Sequence, residues 1–193
     1  AWASVEKVQR ILDIGTGTGL IALMLAQRQA QSKVIGIEID ELAAKQAQAN
    51  VADSPFVSRV EIIHDSIQNY YTETIAESFD LIVSNPPFFS GGVLSENAGR
   101  AEVRHTVKLS HHDLLRSVQL LLHPAGRFCL ILPWLEGLRF QELAQTYHLY
   151  TQQVCKVSSR PGNAPNRLLL ALGKDRVEAP ETDHLLIYAT EKG

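Results

Sequence analysis

The chain has 193 residues, 45% hydrophobic and 20% charged, which is typical of one globular domain with a substantial core. No stretch approaches the roughly 20 uninterrupted apolar residues of a membrane-spanning helix, so we expect no membrane association. The formal net charge of −3 argues mildly against a polyanionic partner, because nucleic-acid binders usually carry a basic excess that contacts phosphate.

The chain starts Ala-Trp-Ala, with neither an initiator Met nor a basic-then-apolar leader, and nothing in it suggests secretion. Cys129 and Cys155 lie in apolar strand-like runs and do not form a disulfide framework, which favours a reducing compartment. We therefore expect a cytoplasmic, monomeric protein with a single domain over residues 1–193. We also expect the full protein to have an additional N-terminal segment and a C-terminal tail.

Apolar strand-like runs alternate with helical patterns to about residue 150. The predicted strands are residues 10–14, 33–38, 60–64, 79–84 and 127–132. The predicted helices are residues 19–31, 41–52, 67–76, 110–122 and 135–147. This alternation indicates right-handed βαβ units and a mostly parallel sheet covered on both faces.

The helical patterns stop after residue 148. Residues 148–157 and 167–172 are predicted strands joined by a loop over 158–166, and residues 185–189 are a further short strand. The pattern predicts an α/β fold whose parallel sheet is closed by an antiparallel C-terminal pair of strands.

A glycine-rich loop, Asp13-Ile14-Gly15-Thr16-Gly17-Thr18-Gly19, follows the first strand. Glycines there let the backbone turn sharply and approach a ligand at the strand ends. A dinucleotide site needs G-x-G-x-x-G, but Leu20 is sixth from Gly15, and the Gly-Lys-Ser/Thr of a P-loop is absent. Asp13 would repel a pyrophosphate but suits the ammonium and sulfonium charges of S-adenosylmethionine. The loop therefore indicates that cofactor, with predicted contacts from Asp13, Gly15, Thr16, Gly17 and Gly19.

Acidic residues follow the next two strands. Glu38 ends the second strand, where a carboxylate can accept both ribose hydroxyls of a nucleoside. Asp40 is the rival for this role, but its position predicts that it caps the following helix. Asp65, just past the third strand, can accept from the adenine amine. The predicted cofactor-binding set is completed by Glu38, Ile39, Asp65, Ser66 and Asn85.

The fourth strand ends in Ser84-Asn85-Pro86-Pro87-Phe88. Two prolines could merely terminate the strand, but the chemistry of planar amines offers a stronger interpretation. Such an amine is a poor nucleophile because its lone pair is delocalised, so its attack on a methyl group requires acceptors for its N–H bonds. The Asn85 side-chain oxygen and the Pro86 carbonyl can supply them, with geometry fixed by the Pro-Pro pair. Phe88 can stack on the flat substrate. The predicted catalytic residues are Asn85, Pro86, Pro87 and Phe88.

The loop over residues 13–19 and the motif Asn85-Pro86-Pro87-Phe88 together resemble the class I amino methyltransferases with an N/D-P-P-Y/F motif. This resemblance implies a Rossmann-like, seven-stranded, mostly parallel sheet with an antiparallel C-terminal strand. It also implies S-adenosylmethionine as cofactor and residues 85–88 as the active-site loop. Members methylate adenine N6 in DNA or RNA, guanine N2 in ribosomal RNA, or a glutamine amide in release factors.

Five segments are similar to a bacterial subfamily that methylates N6 of adenine 37 in valine tRNA: residues 1–3, 11–15, 23–28, 82–88 and 166–171. That similarity implies a tRNA substrate. Protein glutamine N5 methylation and rRNA guanine N2 methylation are the alternatives, while the intact motifs weigh against a non-catalytic scaffold. Phe88 replaces the Tyr that the subfamily often has, which preserves stacking but removes a hydroxyl and leaves the choice of base open.

Basic residues in two loops are predicted to contact the substrate. The stretch after Phe89 is long for a simple connection, which favours a substrate loop, and the loop over 158–166 is also basic. Both should lie on the cofactor side and give a local basic rim despite the net charge. The predicted substrate-binding residues are Arg100, Arg104, Lys108, Arg160 and Arg167.

Four aromatic residues are assigned no direct role in the site. His111 and His112 are neighbours on one predicted helix and point about 100° apart, which makes a poor metal pair, so we predict no metal site. Trp134 and Tyr147 are predicted to pack in or against the core rather than to stack on bases.

Overall fold

The computed structural model describes residues 2–73, 76–86 and 109–188, and these contain eight strands and five helices. The strands are β1 (Arg10–Ile14), β2 (Lys33–Glu38), β3 (Val60–His64), β4 (Phe79–Ser84), β5 (Leu122–Pro133), β6 (Tyr150–Ser158), β7 (Arg167–Gly173) and β8 (Glu181–Leu186). The helices are α1 (Leu20–Arg28), α2 (Glu41–Ala52), α3 (Ile67–Glu73), α4 (His111–Leu121) and α5 (Trp134–Gln145).

All eight strands belong to one sheet with the order β3-β2-β1-β4-β5-β7-β6-β8. Strands β1 to β5 pair in parallel, β7 is antiparallel to both β5 and β6, and β8 is parallel to β6. Of the strands described, β7 alone therefore runs against the others. The predicted fold class is confirmed, with β8 as a strand beyond the seven that the resemblance implied.

Because parallel strands point the same way, β1, β2, β3 and β4 all end at one side of the sheet, which we call the carboxyl edge. The opposite side, where these strands begin, is the amino edge. Strands β6 and β8 also end at the carboxyl edge, and β7 begins there. In open α/β sheets ligands bind outside the carboxyl ends of the strands.

Helices cover the sheet on both faces, as the strand–helix alternation predicted. Helices α3, α4 and α5 bury one face in a cluster that includes the fully buried rings of Phe79, Phe128 and Phe140. Helices α1 and α2 bury the other face with small residues such as Ala26 and Ala47. Trp134 and Tyr147 pack partly buried against the first cluster, as predicted.

Helix α1 ends at Arg28, three residues before the predicted end. Gln29 leaves the helix with an extended backbone. The Arg59 guanidinium donates to the carbonyls of Ala26, Gln29 and Ser32 at 2.9–3.0 Å. The Ala26 carbonyl would bond to the amide of residue 30 in a longer helix, so Arg59 replaces that bond at the observed end of α1.

Strand β5 begins five residues earlier than predicted. Phe79 pairs with Leu122 and Leu81 pairs with Arg127, so residues 123–126 form a bulge within the strand. The sequence His-Pro-Ala-Gly in that bulge has the composition of a turn, which led to the later predicted start.

The last strand also differs from its prediction. It covers Glu181–Leu186 rather than residues 185–189, and residue 189 lies outside the described residues. Every residue of β8 is exposed, and its first four are polar. An exposed edge strand has no apolar run for sequence analysis to detect. Within the described ranges, no helix combines the length and apolarity needed to cross a bilayer.

We predict that Phe128→Ala lowers the free energy of unfolding by about 3–5 kcal/mol, because it leaves a cavity at a fully buried ring. Phe128 lies 6.4 Å from Phe140 between ring centroids, in the cluster under α5. Leu135→Ala, on α5 itself, is the control. Leu135 is 67% exposed, so its loss should change the free energy of unfolding by under about 0.5 kcal/mol. Equal urea midpoints for the two variants would contradict this assignment of the core.

Candidate functional site

A cavity of about 370 Å³ opens at the carboxyl edge above the ends of β1 to β4. Eight of the residues predicted from sequence line it: Gly15, Gly17, Glu38, Ile39, Asp65, Ser66, Asn85 and Pro86. The structure thus brings together residues from four successive strand ends. The first and last of these residues, Gly15 and Pro86, are 71 positions apart along the chain.

The glycine loop is tied to the end of β2. The Gly15 and Thr16 amides both donate to the Ile37 carbonyl, at 2.9 and 3.0 Å. Gly15 and Gly17 have φ values of 71° and 59°, in the left-handed region that favours glycine. A Cβ at either position would meet no atom within 4 Å, so it would project into open space. Because both glycines line the cavity, their missing side chains leave that space for a ligand.

Asp13 lies beneath this loop and is fully buried, and it is not part of the cavity wall. The Thr16 hydroxyl donates to Asp13 Oδ2 at 2.6 Å. Burial raises the pKa of Asp13 to about 6, against the opposing effects of the Thr16 hydroxyl and the Ala22 amide, while the Glu38 charge adds to the rise. The other oxygen, Oδ1, has no partner of good hydrogen-bond geometry among the described residues.

Thr16 and Gly19 also belong to the predicted cofactor set but do not line the cavity. Thr16 is buried and bonded to Asp13. Gly19 precedes α1 with a φ of 81°, and a Cβ there would come within 3.2 Å of the Ala47 Cβ. Gly19 therefore permits close packing of the loop on α2 rather than contact with a ligand.

Glu38 is held by backbone amides on both sides. Its Oε2 accepts from the Gly17 amide at 2.8 Å and its Oε1 from the Asp40 amide at 2.9 Å. Each carboxylate oxygen retains further lone-pair capacity for a ligand hydroxyl. Asp40 instead accepts from the Ala43 amide at 2.9 Å and caps α2, which confirms the predicted helix cap.

Asp65 occupies the next strand end in a similar way. Its amide donates to the Glu38 carbonyl at 3.1 Å, which joins the ends of β2 and β3. Its Oδ1 accepts from the Ser66 amide at 2.6 Å and the Asn69 side-chain amide at 2.9 Å. The Ser66 hydroxyl accepts from the Asn69 amide at 3.1 Å. These contacts fix the Asp65 carboxylate at the rim of the cavity.

The end of β4 brings the first two residues of the predicted catalytic motif to the same cavity. The buried Ser84 hydroxyl donates to the Ile14 carbonyl at 2.9 Å and ties β4 to β1. Asn85 is exposed, Pro86 is buried, and both line the cavity. Pro87 and Phe88 lie outside the described residues.

Apolar side chains form much of the remaining wall, and sequence reasoning missed most of them. They are Ile14, Ile37, Ile67 and Leu109, beside the predicted Ile39. The first three sit at strand or helix ends and resemble core residues in the sequence. Leu109 directly precedes the Ser110 cap of α4, which was the available signal that it returns to the carboxyl edge.

The predicted basic rim is described only in part. Arg100, Arg104 and Lys108 lie outside the described residues. Arg167 begins β7 and Arg160 follows the end of β6, so both are at the carboxyl edge, as predicted. Neither lines the cavity.

The two neighbouring histidines of α4 have different partners. His111 Nε2 lies 3.0 Å from a Glu136 oxygen, while His112 Nδ1 lies 2.8 Å from the Tyr147 hydroxyl. Burial lowers the pKa of His111 despite that carboxylate. In the part of the chain that the structure describes, no three metal-binding side chains cluster together.

Several known proteins resemble this chain in sequence. The methyltransferase small domain family matches residues 3–125. The tRNA1(Val) (adenine(37)-N6)-methyltransferase of Parabacteroides distasonis is 42% identical over 187 residues, which cover 97% of this chain and 78% of that protein. The protein of the same name from Tolumonas auensis is 42% identical over 182 residues, covering 94% and 75% of the two chains.

Solved structures agree on the fold. A predicted O-methyltransferase from Agrobacterium tumefaciens superposes with a TM-score of 0.67 at 19% identity, covering 92% of this chain and 77% of that one. The geranyl diphosphate C-methyltransferase of Streptomyces coelicolor gives 0.63 at 13% identity, covering 86% and 73%. From the family match and the identity of the relatives over nearly the whole chain, we conclude that this chain belongs to the methyltransferase small domain family.

Proposed function

We propose that the chain transfers the methyl group of S-adenosylmethionine to the exocyclic N6 amine of an adenine in tRNA. The observation that carries this proposal is the position of Asn85 on the wall of a cavity that also presents Gly15, Gly17, Glu38 and Asp65. In this arrangement a nucleoside cofactor and the acceptor for a planar amine would lie side by side. The relatives with 42% identity carry the name of this activity.

The residues present fit the proposed cofactor. Glu38 offers carboxylate oxygens suited to two ribose hydroxyls, and Asp65 offers an acceptor suited to the adenine amine. Gly15 and Gly17 leave open space between the first two strand ends. When bound, S-adenosylmethionine supplies an electrophilic methyl group on a sulfonium centre. The solved S. coelicolor neighbour contains the demethylated form of this cofactor, S-adenosyl-L-homocysteine.

Asp13 would act on the cofactor from below the loop. A carboxylate that is fully buried under the glycines can favour positive charge in the cavity at short range, since little water screens it. Thr16 holds the carboxylate in place through its 2.6 Å hydrogen bond. This arrangement replaces the direct contact that the sequence motif suggested.

Asn85 and Pro86 would bind and orient the acceptor amine. The Asn85 side-chain oxygen and the Pro86 carbonyl accept its two N–H bonds, which turns the nitrogen lone pair toward the methyl group. In the transfer the nitrogen would gain the methyl group as the bond between that group and the sulfonium sulfur breaks, which leaves a neutral thioether. Methylation makes the N–H proton acidic, so this proton would then pass to water. No strong base is required, which agrees with a motif that contains none.

An RNA substrate is favoured over a protein glutamine by charge as well as by the relatives. Arg160 and Arg167 lie at the same edge of the sheet as Asn85, where they can meet phosphate. A glutamine amide would make the same contacts with Asn85 but would gain nothing from these cations. Guanine N2 in ribosomal RNA is the remaining alternative.

We predict that Glu38→Ala weakens cofactor binding by roughly 1–3 kcal/mol through loss of the ribose hydrogen bonds. Asp40→Ala is the matched control. It keeps the backbone amide that contacts Glu38 but removes the α2 cap, so it should cost about 0.5–2 kcal/mol of stability with little change in affinity. Calorimetric titration measures the cofactor affinity of both variants. A lower affinity in Asp40→Ala than in Glu38→Ala would assign the ribose contact to Asp40.

We predict that cofactor affinity falls as the pH drops below about 6, where the raised pKa leaves Asp13 neutral in the free protein. A cationic ligand favours the ionised carboxylate, so binding below that pH must release a proton from Asp13. Kd should therefore increase by up to about tenfold for each unit by which the pH falls. Asp13→Asn has no such proton to release. Its affinity should be lower above pH 6 and should lack this dependence, and identical pH profiles for the two proteins would contradict the role of Asp13.

The proposed function is tested by incubating the full-length protein with methyl-labelled cofactor and, separately, tRNA lacking the modification, ribosomal RNA or release factor. We expect label on adenine N6 in tRNA, and we expect Asn85→Ala to abolish transfer while cofactor affinity falls far less, because Asn85 is only one of the residues predicted to contact the cofactor. Label on another substrate would replace the tRNA assignment. Near-normal turnover by Asn85→Ala would show that the active-site loop is misassigned.

A further inference from the structure

An aromatic ring and a cation are paired at the carboxyl edge, outside the cavity. The Arg160 guanidinium carbon lies 5.7 Å from the centre of the Tyr188 ring. Tyr188 is 50% exposed and lies two residues after the end of β8. The edge therefore presents a half-exposed ring flanked by a guanidinium.

The pair is held by a built framework rather than by a free tail. The Ile187 and Tyr188 amides donate to the carbonyls of Ser158 and Ser159 at 3.0 and 2.9 Å. The Ser158 hydroxyl lies 3.0 Å from His184 Nε2. These contacts fasten the end of β8 to the loop that carries Arg160.

That loop is itself a formed turn. The Asn163 amide donates to the Arg160 carbonyl at 3.2 Å, and the Asn163 side chain donates to the Ser159 hydroxyl at 3.0 Å. Gly162 between them has a φ of 78°, which allows the chain to reverse. The backbone segments that carry the ring and the cation are thus held next to each other.

The topology sets the distance of this pair from the reacting amine. From β4, which ends next to Asn85, the order across the sheet is β5, β7, β6 and β8. At about 4.8 Å between neighbouring strands, the pair lies roughly 14–19 Å from the catalytic motif along the carboxyl edge. That is too far to touch the target adenine but within reach of nucleotides that flank it.

We propose that Tyr188 and Arg160 form a second nucleotide-binding platform, in which Tyr188 stacks on a base flanking the target adenine and Arg160 binds an adjacent phosphate. The inference rests on the proposed function, because it assigns a further part of the same RNA substrate. A π-face accepts any base, and a guanidinium beside it supplies the charge for the backbone, which is how proteins grip single-stranded nucleic acid.

The chain contains a matched control for this pair. The Arg176 guanidinium lies 4.7 Å from the centre of the Tyr150 ring, so the chemistry is the same. Tyr150 begins β6, which places that pair at the amino edge, away from Asn85. Tyr150 is the more buried of the two rings, so its loss should affect the fold at least as much as loss of Tyr188, but it should not affect RNA binding.

The experiment uses full-length enzyme with unmodified tRNA and compares Tyr188→Ala, Tyr188→Phe and Tyr150→Ala. We expect Tyr188→Ala to raise the KM for tRNA roughly 5- to 100-fold, with kcat and cofactor affinity unchanged. Tyr188→Phe keeps the ring and should retain the normal KM, and Tyr150→Ala should do the same. Arg160→Gln should lower the salt slope of tRNA binding by roughly 0.7.

An unchanged KM in Tyr188→Ala, or an equal rise in Tyr150→Ala, would overturn the platform. If Tyr188→Ala unfolds, Tyr188→Leu decides the question, because it keeps apolar bulk without a flat ring and should raise the KM as Ala does. A wild-type enzyme that labels no tRNA would instead overturn the proposed function, so the wild-type reaction separates the two failures.

Discussion

The shape of the site depends on the attachment of the glycine loop to the end of β2. Two consecutive amides, of Gly15 and Thr16, converge on the single Ile37 carbonyl, and the next amide, of Gly17, binds the Glu38 carboxylate. A backbone that makes three such contacts in a row must turn sharply, and glycines adopt the required left-handed angles without strain. The same contacts aim Glu38, so the loop and the carboxylate are placed by one set of hydrogen bonds.

The electrostatics of the site follow from that turn. The loop passes over Asp13 and removes it from water. Burial disfavours the ionised carboxylate unless a positive charge lies nearby. Glu38, close enough for its charge to raise the pKa of Asp13 further, adds to this cost. Two carboxylates under and beside one cavity form a local negative centre, while Arg160 and Arg167 are positive groups at the same edge of the sheet. The site therefore separates a region suited to a cationic cofactor from one suited to a polyanion.

Sequence analysis succeeded where a polar residue interrupts an apolar run. Glu38, Asp65 and Asn85 each end such a run, and parallel topology alone brings strand ends together, so their convergence was predictable. It failed where position depends on contacts distant along the chain. The burial of Asp13 depends on how the loop turns over it, and the apolar wall at Ile37 has the same appearance in the sequence as a core residue.

The limits at the level of elements have the same physical origin. Strand β8 has no buried face, so no alternation of apolar residues revealed it. The bulge at the start of β5 contains proline and glycine, which in isolation signal a turn. The bounds of β5 and β8 are set by hydrogen bonding to the neighbouring strands β4 and β6, which the local sequence does not reveal.

Arg59 has a consequence for how the first half of the molecule holds together. The carbonyls that it binds at the end of α1 lie 27 to 33 positions earlier in the chain, and Arg59 itself directly precedes β3. The Ala26 carbonyl at the end of α1, and the two carbonyls just after it, therefore lack the Arg59 donor until the chain as far as β3 has been synthesised and has docked. Separation of β3 from the sheet would in turn release the end of α1, so amide hydrogens in these two elements should exchange with solvent as one cooperative unit. The glycine loop connects β1 to α1. Its rigidity is therefore coupled to β3, the edge strand that lies beyond β2 in the sheet.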